Sequence, residues 1–182
     1  MNDPGTTLRE ALVAAIPNLR AFAISLTGDH HRANDLVQDT LLKAWAHRDK
    51  FQIGTNLKAW LFTILRNTYF SDIRKRRREL QDVDGQAAAQ LMSPPEQNGH
   101  LDLDDFRRAL TILSADQREA LLLVGAEGYS YEEAAQISGC AVGTVKSRVN
   151  RARVQLSRIL TTDANASDPD KILESAALKA AK

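Results

Sequence analysis

Two adjacent prolines near the middle of this 182-residue chain decide what it can fold into. The stretch "GQAAAQLMSPPEQNGH", Gly85 to His100, holds Pro94 and Pro95, two glycines and no apolar residues at helical spacing. Neither proline has an N–H to donate, and Ser93 before them is pushed towards extended backbone, so no helix runs through this point. A structureless loop of this length is uncommon inside a compact domain. The stretch therefore reads as a linker between two small domains. On both sides of it Ala/Leu/Arg/Gln-rich runs dominate, aromatic residues make up only 5%, and β-branched residues neither cluster nor alternate. That pattern predicts helices throughout, and a hydrophobic fraction of 43% is globular. The expected fold class is all-α, two small helical domains joined by a flexible linker.

The first domain is expected from about Leu8, as helices broken at "TGDHH" and "DKFQIGT". In "RANDLVQDTLLKAWAH", Leu36, Val37, Leu41, Ala44 and Trp45 recur at the spacing of one helical face, and Asp35 and Asp39 lie one turn apart on another. "NLKAWLFTILRNTYFSDIRKRRR" then predicts a long helix from about Asn56. Its first half, with Leu57, Trp60, Leu61, Ile64 and Leu65, is apolar enough to be core, and its second half turns basic. Trp45, Trp60 and Phe62 are expected in the core.

In the second domain, "SADQ" and "SYEE" each match a capping box, Ser114 with Gln117 and Ser130 with Glu133. The helix after Ser114 is expected to stop near Gly128, and the short helix after Ser130 at Gly139, where glycine tolerates positive φ. A further helix from about Ala141 to Leu160 carries one apolar stripe: Val142, Val145, Val149, Ala152, Leu156 and Ile159. Short helix, glycine turn and longer basic helix make a helix-turn-helix. The small Ala135 allows the close approach that such a turn requires.

The net charge of +1 conceals a segregated pattern. Arg66 to Arg78 has six Lys/Arg and one acid, Asp72; Glu79 to Asp105 has seven Asp/Glu and no Lys or Arg; Val142 to Leu160 has five Lys/Arg and no acid. An acid-free basic helix placed second in a helix-turn-helix suits the major groove better than a merely solvated face. Thr144, Lys146, Ser147, Arg148 and Arg151 project away from the valine stripe. Lys and Arg read guanine acceptors, whereas Ser and Thr bond bases or phosphates. Arg153 and Arg158, further along, suit backbone phosphate.

Other function classes find little support. His30, His31, His47, His100 and the single Cys140 do not form a metal-ligand set, and neither a nucleophile–base constellation nor a Gly-rich phosphate loop is present. One cysteine permits no internal disulfide; Cys140 reads as a small side chain in a helix–helix turn. No apolar run approaches the roughly 18 residues that span a bilayer, and "MNDPGTTLRE" lacks the order of a signal peptide. A cytoplasmic protein without membrane association is expected.

"SYEEAAQISGCAVGTVKSRVNRARVQL" closely resembles region four of bacterial extracytoplasmic-function sigma factors, and "ANDLVQDTLLKAW" with "NLKAWLFTILRNTYFSDIRKRRR" resembles region two, in the family's order. The resemblance implies region two at 8–80, an acidic linker at 81–103, region four at 104–161 and a C-terminal tail at 162–182. It implies no catalytic site and no cofactor. The partners it implies are core RNA polymerase, through the β′ coiled coil and the β flap, and promoter DNA. Asp35, Gln38 and Asp39 match the polar face that docks on the β′ coiled coil; the bland alternative is a solvated face with Asp39 paired to Lys43 at i+4. Asn67, Asp72 and Arg74 fall on the family's −10 pattern, with Arg66, Lys75, Arg76, Arg77 and Arg78 as a phosphate-binding run. Phe51, Thr55 and Asn56 lie where the family captures a flipped-out base. "FQIGTN" departs from relatives with more Arg and Lys there, so no base preference is assigned.

"LSADQREALLLVGAEGYSYEEAA", the basic end "DIRKRRRE" and the two-domain length resemble the EcfG-type subgroup that directs the general stress response. That resemblance implies a NepR-like anti-sigma factor as a further partner. Leu36, Leu41, Leu121 and Leu122 read either as core or as apolar edges for such a partner. The tail "DPDKILESAALKAAK" is expected to be disordered or a weakly docked helix. A sigma-like mimic that sequesters an anti-sigma factor and a helix-turn-helix regulator are the alternatives. A mimic needs no basic readers in both domains, and a repressor leaves the Arg66–Arg78 run unexplained.

Overall fold

The computed structural model describes residues 4–52, 54–83 and 101–163. The linker stretch 84–100 and the tail from residue 164 lie outside the described residues. The described elements are helical, and the chain divides into two compact units, Met1–Ser93 and Pro94–Lys182.

The first unit packs α1 (Pro4–Thr27), α2 (His30–Ala46) and α3 (Leu57–Val83) against one another. Leu12, Leu19, Phe22, Ala23 and Leu26 of α1 are buried with Ala33, Leu36, Val37 and Ala44 of α2 and Leu61, Phe62 and Leu65 of α3. Phe22 and Phe62 meet edge to face, ring centroids 4.6 Å apart, the arrangement that brings a positive ring edge to a negative face. The α1–α2 break needs Gly28, at φ 71°, followed by Asp29, whose side chain accepts from the His31 and Arg32 backbone N–H groups and caps α2. His30 and His31 of "TGDHH" thus already belong to α2, and the break itself is Gly28 with Asp29. Buried Tyr69 donates its hydroxyl to the Leu26 carbonyl, 3.1 Å, tying α3 to the last turn of α1.

Three expectations for this unit change. Trp45 is 43% exposed rather than core, and Leu42 beside it is 68% exposed, because α2 turns only Ala33, Leu36, Val37, Thr40 and Ala44 inward. Trp60 is half-buried, while Phe62 is fully buried as expected. Within α1, Leu8–Thr27 is long and apolar enough, by length and composition, to cross a membrane, contrary to the sequence expectation. Alanines carry much of that composition, and the bundle uses the larger apolar side chains for its core. Pro17 sits inside α1 without ending it. It is exposed, so the Val13 carbonyl that loses its helical bond lies on the solvent side.

The second unit holds α4 (Leu101–Ile112), α5 (Ala115–Leu121), a π-helical turn (Leu122–Ala126), α6 (Tyr131–Ser138) and α7 (Val142–Asp163). Both capping boxes form, Ser114 with Gln117 and Ser130 with Glu133. Gly139 closes α6 in the left-handed region, φ 62°, and the Cys140 N–H reaches the Ala135 carbonyl at 3.1 Å. That tight closure turns the chain into α7, whose Val145, Val149, Ala152 and Leu156 are buried among Leu113, Leu121, Leu123, Ala134 and Ile137. Val142 and Ile159, at the ends of the expected stripe, are half-buried. Leu36, Leu121 and Leu122 are buried in the core, whereas Leu41 is only half-buried and keeps an accessible apolar edge.

Arg118 is 4% exposed, and its guanidinium donates to the carbonyls of Leu110 (2.7 Å), Thr111 (2.8 Å) and Leu113 (3.2 Å). This buried cation lies at the negative end of the helix dipole and bonds carbonyls of the chain leaving α4, the Leu110 carbonyl also taking the Leu113 N–H at 3.2 Å.

Candidate nucleic-acid and polymerase interfaces

On α2, Asp35, Gln38 and Asp39 are all exposed. Lys43, four residues after Asp39, instead donates to Thr68 Oγ1 on α3 at 3.0 Å. No ion pair joins Asp35 or Asp39 to a cation among the described residues, so two carboxylates stand uncompensated on one face. Leu42 and Trp45 continue that face towards the end of the helix. Arg48 lies 5.3 Å over the Trp45 ring and donates to the Trp45 carbonyl at 3.1 Å. The result is an acidic-to-aromatic stripe with exposed apolar surface.

The loop before α3 is built by its own side chains. Gly54 takes φ 93°, Thr55 Oγ1 donates to the Gln52 carbonyl at 2.7 Å, and Asn56 Oδ1 accepts from the Ala59 N–H at 3.0 Å to cap α3. Phe51 lies against Trp60, ring centroids 5.2 Å apart, giving the loop a half-buried aromatic platform. The Thr55 and Asn56 oxygens thus shape the loop, and the Phe51–Trp60 pair supplies its stacking surface.

Along α3, Asn67, Ser71, Arg74 and Arg78 share one exposed stripe at helical spacing. Arg74 bonds Ser71 Oγ at 3.1 Å, and Arg78 bonds the Arg74 carbonyl at 3.3 Å. Asn67 accepts from Arg66 at 3.1 Å, and Arg66 stacks over Phe70. Lys75 and Arg77 are exposed nearby; Lys75 approaches Glu79 at 3.9 Å. Asp72 is not on that stripe. It pairs with Arg76 at 3.0 Å and faces Arg32 of α2 at 3.9 Å. Asn67 and Arg74 are therefore brought together, while Asp72 is turned towards α2.

On α7, Lys146, Ser147 and Arg151 are exposed and Thr144 is half-buried. Lys146 lies 5.6 Å over the Tyr131 ring, and Ser147 Oγ donates to the Thr144 carbonyl at 2.9 Å. Arg148 is drawn inward: it pairs with Asp116 of α5 at 3.0 Å and approaches Cys140 Sγ at 3.7 Å. Asn150, which the charge pattern passes over, is exposed beside Arg151. Tyr129, at the entrance to α6, has its hydroxyl pushed up to about 12 by burial, with Glu127 and Glu133 adding to the effect.

Residues 12–79 match Sigma-70 region 2, and residues 103–156 match Sigma-70 region 4. The chain is 62% identical over 157 residues to the ECF RNA polymerase sigma factor EcfG of Rhodopseudomonas palustris, across 86% of this chain and 87% of that one. This chain is an extracytoplasmic-function (ECF) RNA polymerase sigma factor. The sigma factor is also similar to RpoE, solved in complex with the anti-sigma factor NepR from Bartonella quintana. The TM-score is 0.75 with 57% identity, over 87% of this chain and 99% of that one. CnrH, solved with the cytosolic domain of CnrY, aligns at TM-score 0.61 and 28% identity, over 85% of this chain and 88% of that one. In this sigma factor the α2 and α3 faces lie within the region 2 match, and the helix-turn-helix lies within the region 4 match.

Proposed function

We propose that this sigma factor brings core RNA polymerase to the promoters of a general stress response and is held inactive by a NepR-like anti-sigma factor. Residues 8–80 dock on polymerase and open the −10 element, 104–161 bind the upstream element, 81–103 link the two, and 162–182 form a tail. The exposed, uncompensated Asp35–Gln38–Asp39 face carries the reading. A helix that merely faced water would be expected to pair Asp39 with Lys43, and here Lys43 is used elsewhere. A polymerase surface of complementary charge gives those carboxylates a partner, and Leu42 and Trp45 supply apolar area at its edge.

The Asn67–Arg74–Arg78 stripe with Lys75, Arg76 and Arg77 follows single-stranded backbone, and Phe51 with Trp60 stacks an extruded base beside Thr55 and Asn56. Asp72 orients Arg76 and Arg32 within that surface. Thr144, Lys146, Ser147 and Arg151 meet the upstream duplex. Likeness to EcfG and to the NepR-bound RpoE supports the stress-response role and the anti-sigma partner. The work is cytoplasmic, non-catalytic and needs no cofactor.

Run-off transcription with purified core polymerase on a stress promoter tests this. Transcript is expected only when the sigma factor is present, and is expected to fall when a NepR-like protein is added first. A chain that binds the NepR-like protein yet never supports initiation is a mimic, and that result overturns the proposal.

A further inference from the structure

Between Lys146 and Arg151 the polar side chains of α7 are unequally engaged. Lys146 rests over Tyr131, Ser147 bonds back to the Thr144 carbonyl, and Arg148 is held by Asp116 and Cys140. Asn150 and Arg151 make no side-chain bond to any described residue, and both are exposed. Asn150 stands four residues after Lys146, three after Ser147 and next to Arg151, opposite the buried Val145, Val149, Ala152 and Leu156. It is therefore centred on the face that a groove-bound α7 would present.

We infer that Asn150 reads an adenine of the upstream element, while Arg148 positions α7 and touches no base; this rests on the promoter-directing role proposed above. An asparagine carboxamide offers a donor and an acceptor side by side, which matches adenine N6 and N7 in the major groove and no other base as well. Asn150 adds no charge, so attraction to phosphate does not account for its place in a basic helix. Asparagine is also a poorer helix former than Ala, Lys or Arg, because its side chain competes for backbone hydrogen bonds.

Arg148 is in the opposite situation. Its side chain is 23% exposed, and its ion pair spans from α7 to the first turn of α5. Reaching a base would break that pair and leave the Asp116 carboxylate without its partner. Held as it is, the guanidinium fixes the rotation of α7 about its axis, and that rotation decides where Asn150 and Arg151 point.

The test uses holoenzyme, core polymerase loaded with this sigma factor, on a promoter library with a randomised upstream element. Transcribed sequences are counted. The wild type is expected to select adenine at a defined position. Asn150→Ala is expected to lose that selection by about 5- to 150-fold, the range a bidentate base contact supplies, and to keep every other preference. Arg148→Ala is expected to lower output and weaken the upstream preferences together, and the exchange Asp116→Arg with Arg148→Asp to restore both. Selection unchanged by Asn150→Ala overturns the adenine assignment. Relaxation of one position alone by Arg148→Ala, or failure of the exchange, overturns the positioning role. A wild-type holoenzyme that selects no upstream sequence overturns the promoter-directing role, and this inference with it.

Discussion

Asp29, Ser114 and Ser130 each satisfy N–H groups that a helix leaves unpaired at its start, and Asp29 does so with a charge. The bond from the Arg32 backbone N–H, opposed by burial and helped by the His31 N–H, holds the Asp29 carboxyl below its ordinary 3.8. Asp29→Ala is expected to cost about 1 kcal/mol of stability, read from urea unfolding at pH 7, and Asp29→Asn almost nothing, since asparagine caps equally well. The folded-state value is depressed. Its contribution is therefore complete above the unfolded carboxylate value and is lost as pH falls through the folded one. At a pH below the depressed folded value, Asp29→Asn should accordingly unfold at a higher temperature than the wild type. Glu133 is lowered in the same direction, chiefly by the Ser130 backbone N–H and then by the Ser130 hydroxyl, so the second capping box weakens in acid too.

At the scale of elements, Arg118 joins α5 to the carbonyl end of α4 through three backbone acceptors. Bonds from a charged donor are worth more than neutral ones, and acceptors left unpaired in a buried site add their desolvation cost. Arg118→Ala should destabilise the second unit by roughly 3 kcal/mol, measured by chemical denaturation. Arg118→Lys should recover little, because an ammonium point charge does not reproduce the planar fork. The π-helical turn Leu122–Ala126 comes next, and Gly128, at φ 73°, ends the segment before the helix-turn-helix. Periodicity in the sequence does not reveal that turn, since one extra residue in a helical loop leaves the apolar pattern almost unchanged.

For the whole molecule, the division at Ser93 and Pro94 makes two small units, each with a limited core. An anti-sigma protein that bridges both would gain affinity because its second contact is intramolecular. Separating the chain within 85–99 and measuring each half by calorimetry against a NepR-like protein should show binding about 100-fold or more weaker than the intact chain. A half that binds as tightly as the whole would refute bridging, even with sigma activity intact.

What the sequence by itself determined is what acts over one turn of helix. Ser114 with Gln117, Ser130 with Glu133, the Gly139 turn and the valine stripe of α7 are signals between residues three or four apart, and the structure has each of them. The basic runs were equally legible, because charge is read directly from residue type. Tertiary structure alone decided which apolar side chains face inward and which charges are already paired. Trp45 fits the apolar spacing of α2 yet lies outside, since the bundle wraps only part of that helix. Arg148 fits the basic face of α7 yet is held by Asp116, a residue from another helix of the same unit. Pairing at such separation depends on how helices meet in space, and no local pattern along the chain encodes it.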